Sequence, residues 1–144
     1  MTSARANAST NVFGTPLPRK LGIKPQARLG LIGAPYDFDE VLGEMPPGVS
    51  VHRRVRGTFD VIVVFVQKRS ELERRLPALK RALDEAGGLW VAWPKRSSGV
   101  ATDLGDDMVR ELGLASGLVD NKVGAIDATW SGLRFVYRLA DRTP

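Results

Sequence analysis

The segment Trp93-Pro94-Lys95-Arg96-Ser97-Ser98-Gly99 sets two cations, two hydroxyls and a flexible glycine side by side. Such a loop can hold phosphate or carboxylate, because the cations supply charge while hydroxyls and free N–H groups supply directed donors. A second basic pair, Lys68-Arg69, follows another apolar run and would join the first if the two loops are neighbours. The candidate ligand-binding residues are therefore Lys95, Arg96, Ser97, Ser98, Lys68 and Arg69, with Arg53 a more distant contributor, and the ligand they suit is an anion. The plainer account is a solvated loop whose charges keep a strand end soluble.

No catalytic set is legible. The single histidine, His52, stands beside Arg53 in a predicted strand, with no second histidine for a metal and no serine partner, and reads as structural. Lys95 with Ser97 or Ser98 has the composition of a Ser–Lys pair, yet no oxyanion donor accompanies it. The chain has no cysteine, which excludes thiolate nucleophiles, disulfides and cysteine-based zinc sites, and no metal is expected. Trp90 and Trp93 point to opposite faces of one strand, so at least one packs under a helix rather than stacking on a base. Asp127, Thr129, Trp130 and Ser131 read as a turn anchored by a packed indole.

These loops need a frame, and the apolar pattern supplies one. Strands are predicted at 28–33, 49–53, 60–66 and 88–93, with 60–66 the strongest and central. Parallel strands buried on both faces read as such near-continuous apolar runs. Asp37 and Glu40 have capping-box spacing ahead of a short helix that stops at Gly43. Ser70 and Glu73 repeat that spacing before Leu72, Leu76, Leu79 and Leu83, a helical stripe ended by Gly87-Gly88 and interrupted by Pro77, where a kink or restart is expected. A further helix carries Leu104, Met108, Val109, Leu112 and Ala115, with Asp106 and Asp107 in its first turn, where the helix dipole favours negative charge. Residues 118–126 and 133–139 alternate and form a closing antiparallel hairpin, which could also support a dimer. The fold class is α/β, a Rossmann-like three-layer sandwich whose mostly parallel sheet has about six strands and ends in that hairpin. Residues 1–18 are polar and aperiodic, a flexible tail, and 19–144 form one domain.

The formal net charge is +5, from 21 Lys and Arg against 16 Asp and Glu, and the isoelectric point is near 10.0. Polyanions are possible partners, but Lys20, Arg28, Arg81 and Arg138 lie far apart in sequence, so nucleic acid is not favoured over a generally solvated surface. No apolar stretch approaches the roughly 20 residues of a membrane helix, so no membrane partner is expected and the cytoplasm is the default compartment.

The stretch Leu21-Gly22-Ile23-Lys24-Pro25-Gln26-Ala27-Arg28-Leu29-Gly30-Leu31-Ile32-Gly33 resembles the lead-in and first strand of class I methyltransferases that use S-adenosylmethionine, and the terminal hairpin is placed as theirs is. The resemblance implies that the last strand inserts antiparallel between its two predecessors. It does not extend to the cofactor loop: Gly33 stands alone before Ala34 and Pro35, where that family has several glycines. His52, Arg53 and Arg54 occupy the place of its ribose-binding carboxylate, and a cation cannot accept those hydrogen bonds. On these grounds S-adenosylmethionine is not favoured, with Gly33 the one candidate cofactor contact.

Over nearly the whole chain the sequence also resembles a small bacterial family without assigned activity, in Gly14-Thr15-Pro16-Leu17, in Lys20-Leu21-Gly22-Ile23-Lys24-Pro25, in Gly87-Gly88-Leu89-Trp90-Val91-Ala92-Trp93-Pro94-Lys95 and in Ser98-Gly99-Val100-Ala101-Thr102-Asp103-Leu104. This implies a fold and no substrate. The expected function is a non-catalytic module that binds an anionic small molecule or acidic partner at the strand-end crevice. The alternatives are a divergent methyltransferase-like or nucleotide-cofactor enzyme on the same scaffold, and a basic protein associated with nucleic acid.

Overall fold

A computed structural model describes residues 15–143. In chain order the elements are α1 (Leu17–Leu21), β1 (Arg28–Ile32), α2 (Phe38–Leu42), β2 (Ser50–His52), β3 (Phe59–Phe65), α3 (Arg69–Ala82), β4 (Leu83–Pro94), α4 (Asp106–Ala115), β5 (Leu118–Ala125) and β6 (Trp130–Tyr137). Single 3-10 turns cover Arg96–Ser98 and Leu139–Asp141. The strands form one sheet in the order β2-β1-β3-β4-β6-β5. Its first four members are mutually parallel, and β6 lies antiparallel between β4 and β5.

Strand side chains alternate between the two faces, and the core divides accordingly. Ile62, Val64, Leu89, Val91 and Trp93 pack under α3 and α4 with Leu72, Leu76, Val109 and Leu112. Val61, Val63, Phe65, Trp90 and Ala92 pack on the other face with Leu17, Leu21, Phe38 and Leu42 of α1 and α2. The three layers follow from this division. Both tryptophans of β4 are core residues, and the indole N–H of the fully buried Trp90 donates to the Leu21 carbonyl at 3.1 Å. Trp130 packs edge-on against Phe65, ring centres 5.0 Å apart, so the hairpin indole is an anchor.

Several boundaries differ from those predicted. Leu17 and Pro18 are buried in α1, so the part of the expected 1–18 tail that falls within the described residues is structured from Leu17 onward. The remainder, residues 1–14, lies outside the described residues. Neither capping box forms. Asp37 makes no side-chain cap bond, and at the head of α3 the carboxylate of Asp103 accepts from the Arg69 N–H at 2.8 Å. The helix α3 runs unbroken through Pro77, because that residue is exposed and water can reach the carbonyl of Glu73, one turn back, while Leu72, Leu76 and Leu79 stay buried in the core. It ends at Ala82 rather than at Gly87-Gly88, and β4 begins at the next residue. Leu83 pairs with Phe59 and Gly88 with Val61, so residues 84–87 bulge out of the ladder. The two glycines serve close packing: a Cβ on Gly87 would lie 2.5 Å from the Asp60 carbonyl, and one on Gly88 2.3 Å from Nε of Arg134.

Candidate functional site

Parallel pairing brings the carboxyl ends of β1, β3 and β4 to one edge of the sheet, where β5 also ends and β6 begins. The tips after Val66 and Trp93 are neighbours on this rim. Because β1 has β2 on one side and β3 on the other, the chain reverses its direction of winding between β1 and β3, and ligands of open α/β sheets bind outside such a point.

Gly33 leaves β1 there with φ +71°. A Cβ at this position would stand 3.1 Å from the Phe65 carbonyl at the end of β3, so both its conformation and its space demand glycine. Ala34 and Pro35 follow, then Tyr36, whose side chain is 99% exposed, and Asp37, whose exposed carboxylate has no hydrogen bond among the described residues. Arg53 does not reach the rim. The strand β2 ends with His52 beside Gly30, three residues short of Gly33, and Arg53 is bound to both carboxylate oxygens of Asp39 at 2.7 Å. His52 lies between Arg28 Nη1 and Ser50 Oγ, each 3.2 Å from its Nε2.

At the other end of the rim, the Lys95 N–H donates to the Thr129 carbonyl at 2.7 Å, which ties the basic loop to the start of β6. Lys95 and Arg96 border a cavity of about 660 Å³ closed by Trp93, by Ala125 and Ser131 of the hairpin, and by Gly105 and Asp106 at the start of α4. Ser98 is taken up by its own loop: its hydroxyl donates to the Lys95 carbonyl at 2.6 Å and accepts from the Val100 N–H at 3.1 Å. Ser97 is exposed. Lys68 and Arg69 are exposed at the next strand end but do not line this cavity. The segment 99–105 crosses to them, with Thr102 Oγ1 donating to the Gln67 carbonyl at 2.5 Å and Asp103 on the Arg69 N–H, while Arg69 Nε lies 3.4 Å from Glu73. The six candidate residues thus share one edge, and only Lys95 and Arg96 face the cavity.

Two further cations, neither among the candidate site residues, meet near this edge. Lys20 of α1 reaches the Ala125 carbonyl at the end of β5, and Lys122 of β5 donates to the Lys20 carbonyl at 3.3 Å. Burial, and then the charges of Lys122 and Lys95, lower the affinity of Lys20 for its proton. A separation of 102 residues hides this meeting from any local pattern.

No family model and no curated protein matches the sequence. Solved structures do match the fold. A SAM dependent methyltransferase from Aquifex aeolicus aligns over 81% of this chain and 85% of its own, with TM-score 0.60 and 14% identity. Fibrillarin from Aeropyrum pernix, in complex with natively bound S-adenosyl-L-methionine, covers 92% and 73%, with TM-score 0.58 and 12% identity. Magnesium protoporphyrin IX methyltransferase from Synechocystis, with bound SAH, covers 84% and 78%, with TM-score 0.57 and 10% identity. At such identities the likeness shows the fold: this is the Rossmann-like fold of class I methyltransferases.

These structures overturn the expectation against S-adenosylmethionine, since proteins built on this sheet bind that cofactor, the Aeropyrum fibrillarin natively. The error was to require a run of glycines, when the geometry here demands glycine only at Gly33. At that turn the left-handed Gly33 packs against the Phe65 carbonyl with no side chain of its own to cover the exposed main chain, and Asp37 offers a free carboxylate two residues beyond Pro35, both compatible with the cofactor. The end of β2 supplies no carboxylate.

Proposed function

We propose that this protein is a methyltransferase-like enzyme that binds S-adenosylmethionine where β1 and β3 end and takes an anionic acceptor molecule in the cavity beside Lys95 and Arg96. The observation that carries the reading is the left-handed Gly33 pressed against the end of β3 at the point where the winding reverses. Gly33 lets the main chain approach the ligand, Asp37 accepts hydrogen bonds from ribose hydroxyls, and Tyr36 offers an aromatic face to the adenine. When bound, the cofactor supplies an electrophilic methyl group on a sulfonium centre. Lys95 and Arg96 orient the acceptor by its negative charge, and Trp93 with the hairpin walls one side of the cavity against water.

Thermal unfolding with S-adenosylmethionine and S-adenosylhomocysteine tests the reading. A ligand at 100 times its Kd adds about 2.7 kcal/mol, which for a chain of this size raises Tm by roughly 8 °C. No shift with either compound at millimolar concentration refutes it. A second reading, a non-catalytic module for an anionic small molecule, draws on the cavity between Lys95 and Arg96 alone. It predicts stabilisation by small anions with no response to either adenosyl compound.

A further inference from the structure

Four cations from four separate parts of the chain converge on the α1 face of the β5–β6 ribbon and its rim. Lys122 of β5 stands directly opposite Arg134 of β6 in the ladder, so both project to the same side. Lys20 of α1 lies across Gly124, where a Cβ would meet its Cε at 3.1 Å and its Nζ at 3.4 Å. Lys95, just past the end of β4, borders the same cavity as Ala125, whose carbonyl Lys20 holds, and its charge acts on Lys20. Arg134 runs over Gly88, where any side chain would displace it, and its guanidinium lies near Gly22, while its Nη1 donates to Asn121 at 3.3 Å.

None of the four takes part in an ion pair among the described residues. Neighbouring carboxylates are committed elsewhere: Asp120 pairs with Arg110 at 3.0 Å, and Asp127 accepts from the N–H groups of Thr129 and Trp130. Like charges directly opposite on adjacent strands destabilise a sheet, and an arginine half-buried without a counter-charge adds to that cost. Glycines at 88 and 124 nonetheless make room for these side chains, so the group is built into the packing.

We propose that Lys20, Lys95, Lys122 and Arg134 form a phosphate-binding strip, distinct from the adenosyl pocket assigned above. Phosphate suits it better than carboxylate, because its oxygens accept from several donors at once and match the planar fork of an arginine beside point charges from lysines. The phosphate can come from a free phosphorylated molecule or from a nucleic-acid backbone, and the two sources separate by experiment.

Pyrophosphate is titrated by calorimetry and fluorescein-labelled oligouridylate by anisotropy, each at about 50 mM KCl and again at higher salt. The wild type should bind at least one. Oligouridylate binding that falls steeply with salt, with weak pyrophosphate binding, assigns the strip to a backbone; pyrophosphate binding of equal strength assigns it to a free phosphate. Lys122→Gln and Lys20→Gln should each weaken binding about tenfold, and in the oligouridylate arm each should reduce the salt slope by about 0.7. Lys122 is exposed, so its variant decides the matter even if Lys20→Gln fails to fold. Binding of neither probe, or unchanged binding by Lys122→Gln, overturns the proposal. S-adenosylmethionine titrated in parallel should bind the Lys122→Gln protein as it binds the wild type, which separates failure here from failure of the cofactor reading.

Discussion

The two ends of the strand rim are made differently. At β1 and β3 the feature is main chain: a left-handed glycine, a free carboxylate at Asp37 and an exposed Tyr36, with Arg53 held back by Asp39. At β4, β5 and β6 it is charge: Lys95 and Arg96 at a cavity, with Lys20 and Lys122 beside them. A site shaped by backbone sterics should be sensitive to added atoms and indifferent to salt, whereas one made of partly exposed cations should be the reverse. On the proposed reading one sheet edge carries two kinds of recognition, which substitutions should separate.

The largest effect should come from Gly33→Val. A β-branched residue at φ +71°, with its Cβ 3.1 Å from a carbonyl, costs about 3 kcal/mol in strain or forces the loop to move, so S-adenosylmethionine affinity should fall about 100-fold while anion binding at Lys95 persists. Calorimetry with both ligands on one preparation measures this, and equal loss of both would erase the distinction. Next, Lys95→Gln with Arg96→Gln should weaken a small dicarboxylate or phosphate about 30-fold at low salt and leave the cofactor untouched. Asp37→Asn should weaken the cofactor about tenfold, with a loss independent of ionic strength.

The smallest effect sharpens the electrostatic end. Lys20 releases its proton below 10.5 in the folded chain, first because of burial and then because of Lys122 and Lys95. The unfolded chain therefore binds more protons between the folded value and 10.5, and stability from this group rises with pH across that window; as pH falls through the folded value the gain is lost. Lys20→Met should remove that rise, seen as a smaller change in urea midpoint relative to wild type as the pH is raised to 10.5. Tyr137, whose value is raised by burial and by Glu85 and Asp84, slopes the opposite way in both proteins and cancels in the comparison.

The strands β1, β3 and β4 were legible because burial on both faces leaves unbroken apolar runs, and their shared direction put Lys95, Arg96, Lys68 and Arg69 on one edge as expected. The helix α1 was not, since five residues of Leu-Pro-Arg-Lys-Leu are too few for a periodic signal. Caps failed for a related reason: local spacing at Ser70 and Glu73 could not foresee Asp103, 34 residues away in sequence from Arg69. At the site, counting glycines hid what Gly33 supplies, because a single close approach fixes the requirement at one position. Lys20 and Lys122 could be found only once α1 was docked on the sheet.

The direct junction of α3 with β4 and the bulge at 84–87 together decide where the chain tolerates a change of length. An extra residue within the bulge enters a stretch already outside the ladder and leaves every later pairing in step. The same residue after Gly88 would exchange the faces of Trp90 and Trp93, pulling one indole from the Leu21 carbonyl and the other from beneath the helices. Between α3 and the end of β4, natural variation in length, and any residue inserted for a tag or a label, should therefore fall before Gly88 and not after it.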